Sequence, residues 1–194
     1  YSTALGGNAR ALGISSTALG TITTASGNYS TALGLYTTSS GYGSTAFGQS
    51  TTAFGNYSTS FGHYTIASGG GSTALGDYTT ASGEVSTALG THTTASGYAS
   101  AAFGENSIAR SYLSVAMGMW NDTIAGSSRD SWVPSDPILT VGNGLGSSLR
   151  SNALTIYKNG TLAGKRFDPL MTEPGVVAVP LSGAGTRMMW LTEK

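Results

Sequence analysis

The sequence contains no cysteine, which excludes a disulfide framework and any thiolate metal site. Charge is scarce as well. Lysine, arginine, aspartate and glutamate make up 9% of the 194 residues, against about 25% in ordinary soluble domains. Only Arg10, Asp77 and Glu84 are charged before Glu105, and the net charge is zero. No electrostatic footprint for nucleic acid or an acidic membrane surface follows from such a balance. No apolar run reaches the roughly 18 residues that a membrane-spanning helix needs, so solubility must come from hydroxyl groups. No leader is visible. The chain opens inside a repeated phrase, so its natural N-terminus is expected elsewhere, and Lys194 reads as a cut or processed end of a longer fibre.

What is present is metre. Glycine stands at 6, 13, 20, 27, 34, 41, 48, 55, 62, 69, 76, 83, 90, 97, 104 and 118, every seventh position, with Ser111 as the one substitution. An exact period without insertions is the mark of a repeat architecture. A coiled coil is excluded, because it needs two large apolar residues per heptad and tolerates no glycine in every second turn. Taking each glycine as position 0, position −2 is Ala except at Ser39 and Ser60, and −4 is Ser or Thr except at Ala9. In a strand these three positions share one face. That face is uniformly tiny, which predicts the inside of a thin, flattened roll. Glycine is expected to close each strand, at a corner that needs positive φ or lacks room for a Cβ.

Position −1 points the other way and alternates. At every second repeat it is Leu5, Leu19, Leu33, Phe47, Phe61, Leu75, Leu89, Phe103 or Met117; between them it is mostly Ser. The true unit is therefore a 14-residue coil of two strands, one covered and one exposed. Coils stacked ~4.8 Å apart turn the nine apolar residues into a ladder roughly 40 Å long. A soluble chain does not leave such a stripe in water. Each large side chain is worth roughly 1.5–3 kcal/mol when buried, so association is predicted to be part of folding.

The phrases "STALG", "STAFG", "TTASG" and "SVAMG" resemble the head repeats of YadA-like trimeric autotransporter adhesins over about residues 1–118. The resemblance implies a left-handed parallel β-roll, three copies packed around an axis (a homotrimer whose seam would be the nine-residue ladder), and a cell-surface or surface-filament location. The remainder, 119–194, is expected to be a β-rich capping or connector segment. Within it, "DPILTVGNGLGSSLRSNALTIYKNG" and "GAGTRMMW" resemble segments of bacterial surface and phage-tail-fibre-like proteins associated with endosialidase-type chaperone domains. Read from its residues, this part predicts strands at "ILTVGNG", "NALTIYKNGTLAG" and Val176–Val179. It also predicts a type I′ turn at Asn159-Gly160, no amphipathic helix, extended chain around Pro169, Pro174 and Pro180, and Trp120 and Trp132 capping the open end of the roll.

Chemistry is thinly signalled. His63 and His92 occupy different positions of the heptad and are not expected to form a pair. No nucleophile triad, phosphate loop or metal cluster can be assembled: "SGGGS" (Ser68–Ser72) lacks the lysine and the helix that a phosphate loop requires, and "VGNGLG" (Val141–Gly146) is a lone glycine cluster. Neither enzyme activity nor a cofactor is expected. Position −5 carries Tyr1, Tyr29, Tyr36, Tyr57, Tyr64, Tyr78 and His92, and the last three are one coil apart. They should stack along one edge, either as packing that stiffens the corner or, with Tyr36, as an aromatic strip for a host-cell, matrix or glycan receptor. Thr24/Ser26, Thr38/Ser40, Thr80/Ser82 and Thr94/Ser96 line the exposed strand as an ice-binding surface would, though Phe54, Ile66 and Ile108 interrupt the row. Sequons fall at Asn28, Asn56, Asn121 and Asn159. The expected function is thus an extracellular adhesive or structural fibre segment, with a tail-fibre segment second and an ice-binding solenoid third.

Overall fold

The computed structural model describes residues 1–164. These residues are all-β, and no helix among them is long and apolar enough to cross a membrane. Each 14-residue coil supplies a long strand, such as Thr17–Thr21 or Thr31–Leu35, and a two-residue strand, such as Thr24–Ala25 or Thr38–Ser39. The long strands stack in parallel within a 12-stranded sheet and the short ones form an 8-stranded sheet. From coil to coil the register is constant: Thr17 pairs with Thr31, Ala18 with Ala32, Leu19 with Leu33 and Gly20 with Gly34. The chain is a β-roll of stacked coils.

The core between the two sheets is made of the small residues. Ala18, Ala25, Ala32 and their equivalents up to Ala116 are at most 2% exposed, beside buried Ser16, Thr23, Ser30 and Thr37. Where Ser replaces Ala the extra hydroxyl finds a partner. Ser39 Oγ lies 2.7 Å from Ser44 Oγ, and Ser60 Oγ lies 2.7 Å from Thr65 Oγ1. The hydroxyls of Thr23, Thr37, Thr51, Thr79 and Thr93 are buried without one.

The glycines have the lack of Cβ room that was expected and, in the long strands, the positive φ, but not the expected place. Gly20, Gly34 and Gly48 do not close the long strands but lie within them, at φ +124 to +128. A Cβ on either glycine series would overlap the carbonyl oxygen one coil on, Gly34 for Gly20 and Gly41 for Gly27. Close stacking demands glycine there. The left-handed corners are built instead at position −5, where Ile22, Tyr29, Tyr36, Tyr57, Tyr64, Tyr78, Val85 and His92 all sit at φ +49 to +60. This backbone is uncommon for bulky residues and worst for β-branched ones. A repeated bond supports it: the corner N–H of Tyr36 donates to Thr21 O at 3.0 Å, and that of His92 to Asp77 O at 2.8 Å.

The long sheet continues past Gly118. The strand Pro137–Asn143 pairs in parallel with Val115–Met119, matching Met117 with Val141 and Gly118 with Gly142. Asn152–Tyr157 and Leu162–Gly164 follow antiparallel. The short sheet is closed by one side chain: Asn121 Oδ1 accepts from Ile108 N–H at 2.7 Å and its Nδ2 donates to Ile108 O at 3.0 Å. A carboxamide here imitates the peptide group of a missing strand, which also leaves the Asn121 sequon buried. The tryptophans are not the cap. Trp132 is half exposed, and Trp120 occupies a corner with the Arg150 guanidinium 5.0 Å from its ring centre. The hairpin turn also differs from the expected type I′. Only Gly160 has positive φ, and Gly160 N–H donates to Tyr157 O at 2.9 Å, as in a type I turn followed by a left-handed glycine. The expected strand Val176–Val179, the three prolines, Trp190 and "GAGTRMMW" lie outside the described residues.

Candidate functional site

One face of the long sheet carries the apolar ladder. The strand registers align Leu5, Leu19, Leu33, Phe47, Phe61, Leu75, Leu89, Phe103 and Met117 in a single file. The file stays open to solvent within one chain: Leu5 is 70% exposed, Phe61 46%, and Leu75 37%. Phe47 and Phe61 stack at 4.9 Å with their planes 10° apart. The pairing adds a tenth member, Val141. Its signal is present in the sequence, since "TVG" repeats the order small, large apolar, glycine. The preceding insertion between Gly118 and Pro137 hid it from the count of sevens.

The two corners carry the aromatic residues. Along the first, Tyr64 and Tyr78 stack at 4.8 Å, and Tyr78 and His92 at 4.9 Å with planes 1° apart. Tyr36 belongs to the same edge, but Ser50 separates it from Tyr64 by a coil. His63 flanks the stack at 4.4 Å from Tyr64 and 5.6 Å from Tyr78, both edge-on. Its Nδ1 pairs with Asp77 Oδ1 at 2.6 Å across neighbouring coils. In this three-ring stack both faces of Tyr78 are taken by its neighbours, so Tyr78 offers its edge and phenol hydroxyl, while Tyr64 and His92 each have one face outside the stack.

The second corner is harder to see in the sequence because its rings fall at two positions, −5 for Tyr29 and Tyr57 and −6 for Tyr42, Tyr98 and Tyr112. Here Tyr29, Tyr42 and Tyr57 follow one another edge-to-face at 5.3 and 5.4 Å, and Tyr98 stacks on Tyr112 at 5.3 Å. Asparagines serve the free corner amides: Asn28 Oδ1 accepts from Ile14 N–H at 2.9 Å and Asn56 Oδ1 from Tyr42 N–H at 3.0 Å. Towards the C-terminal end the carbonyls of Arg129 and Ser128 take over, accepting from Tyr98 and Tyr112 N–H. Lys158 is inserted nearby, with its Nζ 5.6 Å from the Tyr112 ring centre, 5.2 Å from that of Trp132 and 3.9 Å from Asp136 Oδ2. Burial pushes the lysine below its ordinary pKa, and the Asp136 carboxylate opposes part of that shift.

The described residues hold no group of three or more His, Asp or Glu placed to bind a metal ion. The model of the YadA head domain repeat (2 copies) matches residues 1–21, 11–37, 39–65, 67–93 and 88–109, which together cover more than half of the sequence. This chain belongs to the YadA head repeat family. Members of this adhesin-type structural family are in general trimeric and surface-exposed. No curated protein matches the chain. In this YadA head repeat chain the matched segments span the apolar file from Leu5 to Phe103 and both aromatic corners as far as Tyr98.

Proposed function

We propose that the chain is a segment of an extracellular, homotrimeric adhesin-like fibre. Three copies join through the ladder from Leu5 to Met117, and the assembly projects and presents a binding surface to a host-cell, matrix or glycan receptor. The observation that carries this reading is the unbroken apolar file on one sheet face, with Leu5, Phe47, Phe61, Leu75, Leu89 and Met117 exposed in a single chain. Membership of a family whose heads are trimeric supplies the threefold. The role is mechanical and adhesive, and it needs no catalytic group or cofactor. Light scattering on the full chain should give the mass of three copies; a stable monomer at micromolar concentration would overturn the proposal.

For the strip of Tyr64, Tyr78 and His92, with Tyr36 beyond it, stacking favours a stiffening role. A ligand at Tyr78 would have to be held by the ring edge and hydroxyl, because both faces of that ring are occupied. Beads coated with the chain, tested on cultured cells and on matrix proteins, separate the two readings. If the strip stiffens, Tyr64→Ala with Tyr78→Ala lowers the melting temperature and spares adhesion; if it is the receptor surface, adhesion goes and stability stays. The tail-fibre and ice-binding readings draw no specific support. The short-strand threonine row is interrupted at Ile66 and Ile108, with Phe54 projecting beside it.

A further inference from the structure

The ladder has a neighbour on the outward face of the long sheet. Two residues earlier in each strand runs a second row, and along the repeats it is threonine: Thr3, Thr17, Thr31, Thr45, Thr59, Thr73 and Thr87. Towards the C-terminal end the hydroxyls disappear. The strand registers continue this row as Ala101, Val115, Leu139, Ile156 and Leu162. Beside it the ladder continues as Phe103, Met117, Val141 and Leu154. One apolar file flanked by hydroxyls becomes two apolar files side by side.

The side on which these residues lie follows from their neighbours. Thr140 and Thr155 face each other across the antiparallel pair, and both are buried. Asn121 Nδ2 donates to Thr140 Oγ1 at 3.4 Å, at the closed end of the roll, so this pair points inward. Successive residues of a strand alternate between faces, and paired residues share one. Leu139, Val141, Leu154 and Ile156 therefore lie on the outward face, in line with Val115 and Met117. Water reaches that face in a single chain: Met117 is 39% exposed and Leu162 50%. Neither row holds a charged residue at any point from Thr3 to Leu162.

We infer that the seam between copies of this chain runs on past Met117 and widens, over residues 115–162, into a clamp in which the twin apolar rows of three copies close on one another. The inference rests on the trimeric reading and extends it beyond the repeats. Two features make the occupant a further copy of this chain. The twin rows are continuous with the ladder and in register with it, so a copy that covers Phe103 and Met117 meets Val141 and Leu154 next. Threefold symmetry also brings like residues of three copies together, which uncharged apolar side chains satisfy and like charges would oppose. Val115, Leu139, Ile156 and Leu162 offer more apolar surface than the threonines they succeed, and burial of that surface is what holds copies together. The sheet beyond the repeats then fastens the three chains at one end of the roll.

The sequence has no cysteine, so single cysteines report without background. Four full-length variants are treated with a short bifunctional maleimide and run on a denaturing gel: Val141→Cys and Leu154→Cys in the clamp, Leu33→Cys in the ladder, and Ser82→Cys on the opposite sheet. Both clamp variants should give cross-linked dimers and trimers, with a yield at least ten times that of Ser82→Cys. A double variant, Leu139→Ser with Ile156→Ser, should raise the concentration at which the assembly dissociates tenfold or more. Cross-linking of Leu33→Cys without that of either clamp variant overturns the clamp and leaves the trimer standing. If, in addition, a monofunctional maleimide labels Leu154→Cys slowly, the rows are covered by residues 165–194 or by another partner, which overturns the inference equally. A monomeric mass together with no cross-link at any position overturns the trimer and the clamp alike.

Discussion

Replacing Leu75 and Leu89 together by serine should dissolve the assembly, and the roll should lose stability with it. Both side chains point away from the alanine core, and in one chain they are 37% and 38% exposed. The exposed part of each is roughly 70 Å², worth about 1.7 kcal/mol at ~25 cal/mol per Å² if a partner covers it fully. In a trimer the two substitutions occur six times, so the loss approaches ~10 kcal/mol, about seven powers of ten in the association constant. Sedimentation equilibrium from 0.1 to 100 µM reads this directly. The wild type should hold the mass of three chains across the range, and the double variant should fall towards one chain. Phe54→Ser removes comparable apolar surface from the opposite sheet and should leave the mass unchanged. A double variant that keeps the wild-type mass and concentration dependence would refute the placement of the seam. If Phe54→Ser dissociates the assembly instead, the seam is on the short-strand face.

Three further perturbations address the roll itself. Thr79→Val exchanges a buried hydroxyl without a partner for a methyl of the same shape and should stabilise the fold by about 1 kcal/mol in urea titration; a destabilised variant would mean that the hydroxyl is satisfied. Asn121→Ala strips the last short strand of both its side-chain bonds and should cost about 2–4 kcal/mol locally, seen as faster amide exchange at Ile108 while Ala67 and Ala81 stay protected. Lys158 has a lowered pKa when folded, so between its folded value and the unfolded value near 10.5 the unfolded chain binds more protons, and folding gains as pH rises. The stability of the wild type relative to Lys158→Met should therefore climb from pH 7 towards pH 10, and a gap that is flat or shrinks with pH would contradict the burial.

The interior of this protein is legible from its sequence because it is under one simple constraint. Ala18, Ala74 and Ala102 are fully buried between the sheets, where only Ala or Ser occurs, so a count of sevens finds them, and the opposite phase finds Leu33 and Phe61. The corners were harder to read. Tyr64, Tyr78 and His92 stack along one edge as their spacing predicts, and the long-strand glycines hold positive φ as expected, but the corner residues Tyr36 and Tyr78 hold it too, at φ +56 and +52. Glycine is the usual owner of positive φ; here a corner hydrogen-bond ladder also holds bulky residues in the left-handed region. The last coil was hidden for a different reason. Val141 and Gly142 keep the repeat's residue types but arrive after an insertion, and Asn121 imitates a strand that periodicity could not count.

The two kinds of position divide what the molecule can change. Inward residues are held by the sheets on both sides, and the repeat glycines by the coil above, so a substitution in either propagates along the stack. Outward corner residues touch mainly their own column. Along one edge that column is Ile14, Asn28, Tyr42, Asn56, Gly70, Glu84, Tyr98 and Tyr112, a run of unlike side chains on one backbone shape. Sequence variety at constant geometry is what a fibre needs to carry different surfaces on one scaffold. It follows that exchanging corner pairs between coils, for instance placing Tyr57's neighbour pair at 70–71, should move a binding property along the fibre by whole coil steps while leaving the roll's stability nearly unchanged.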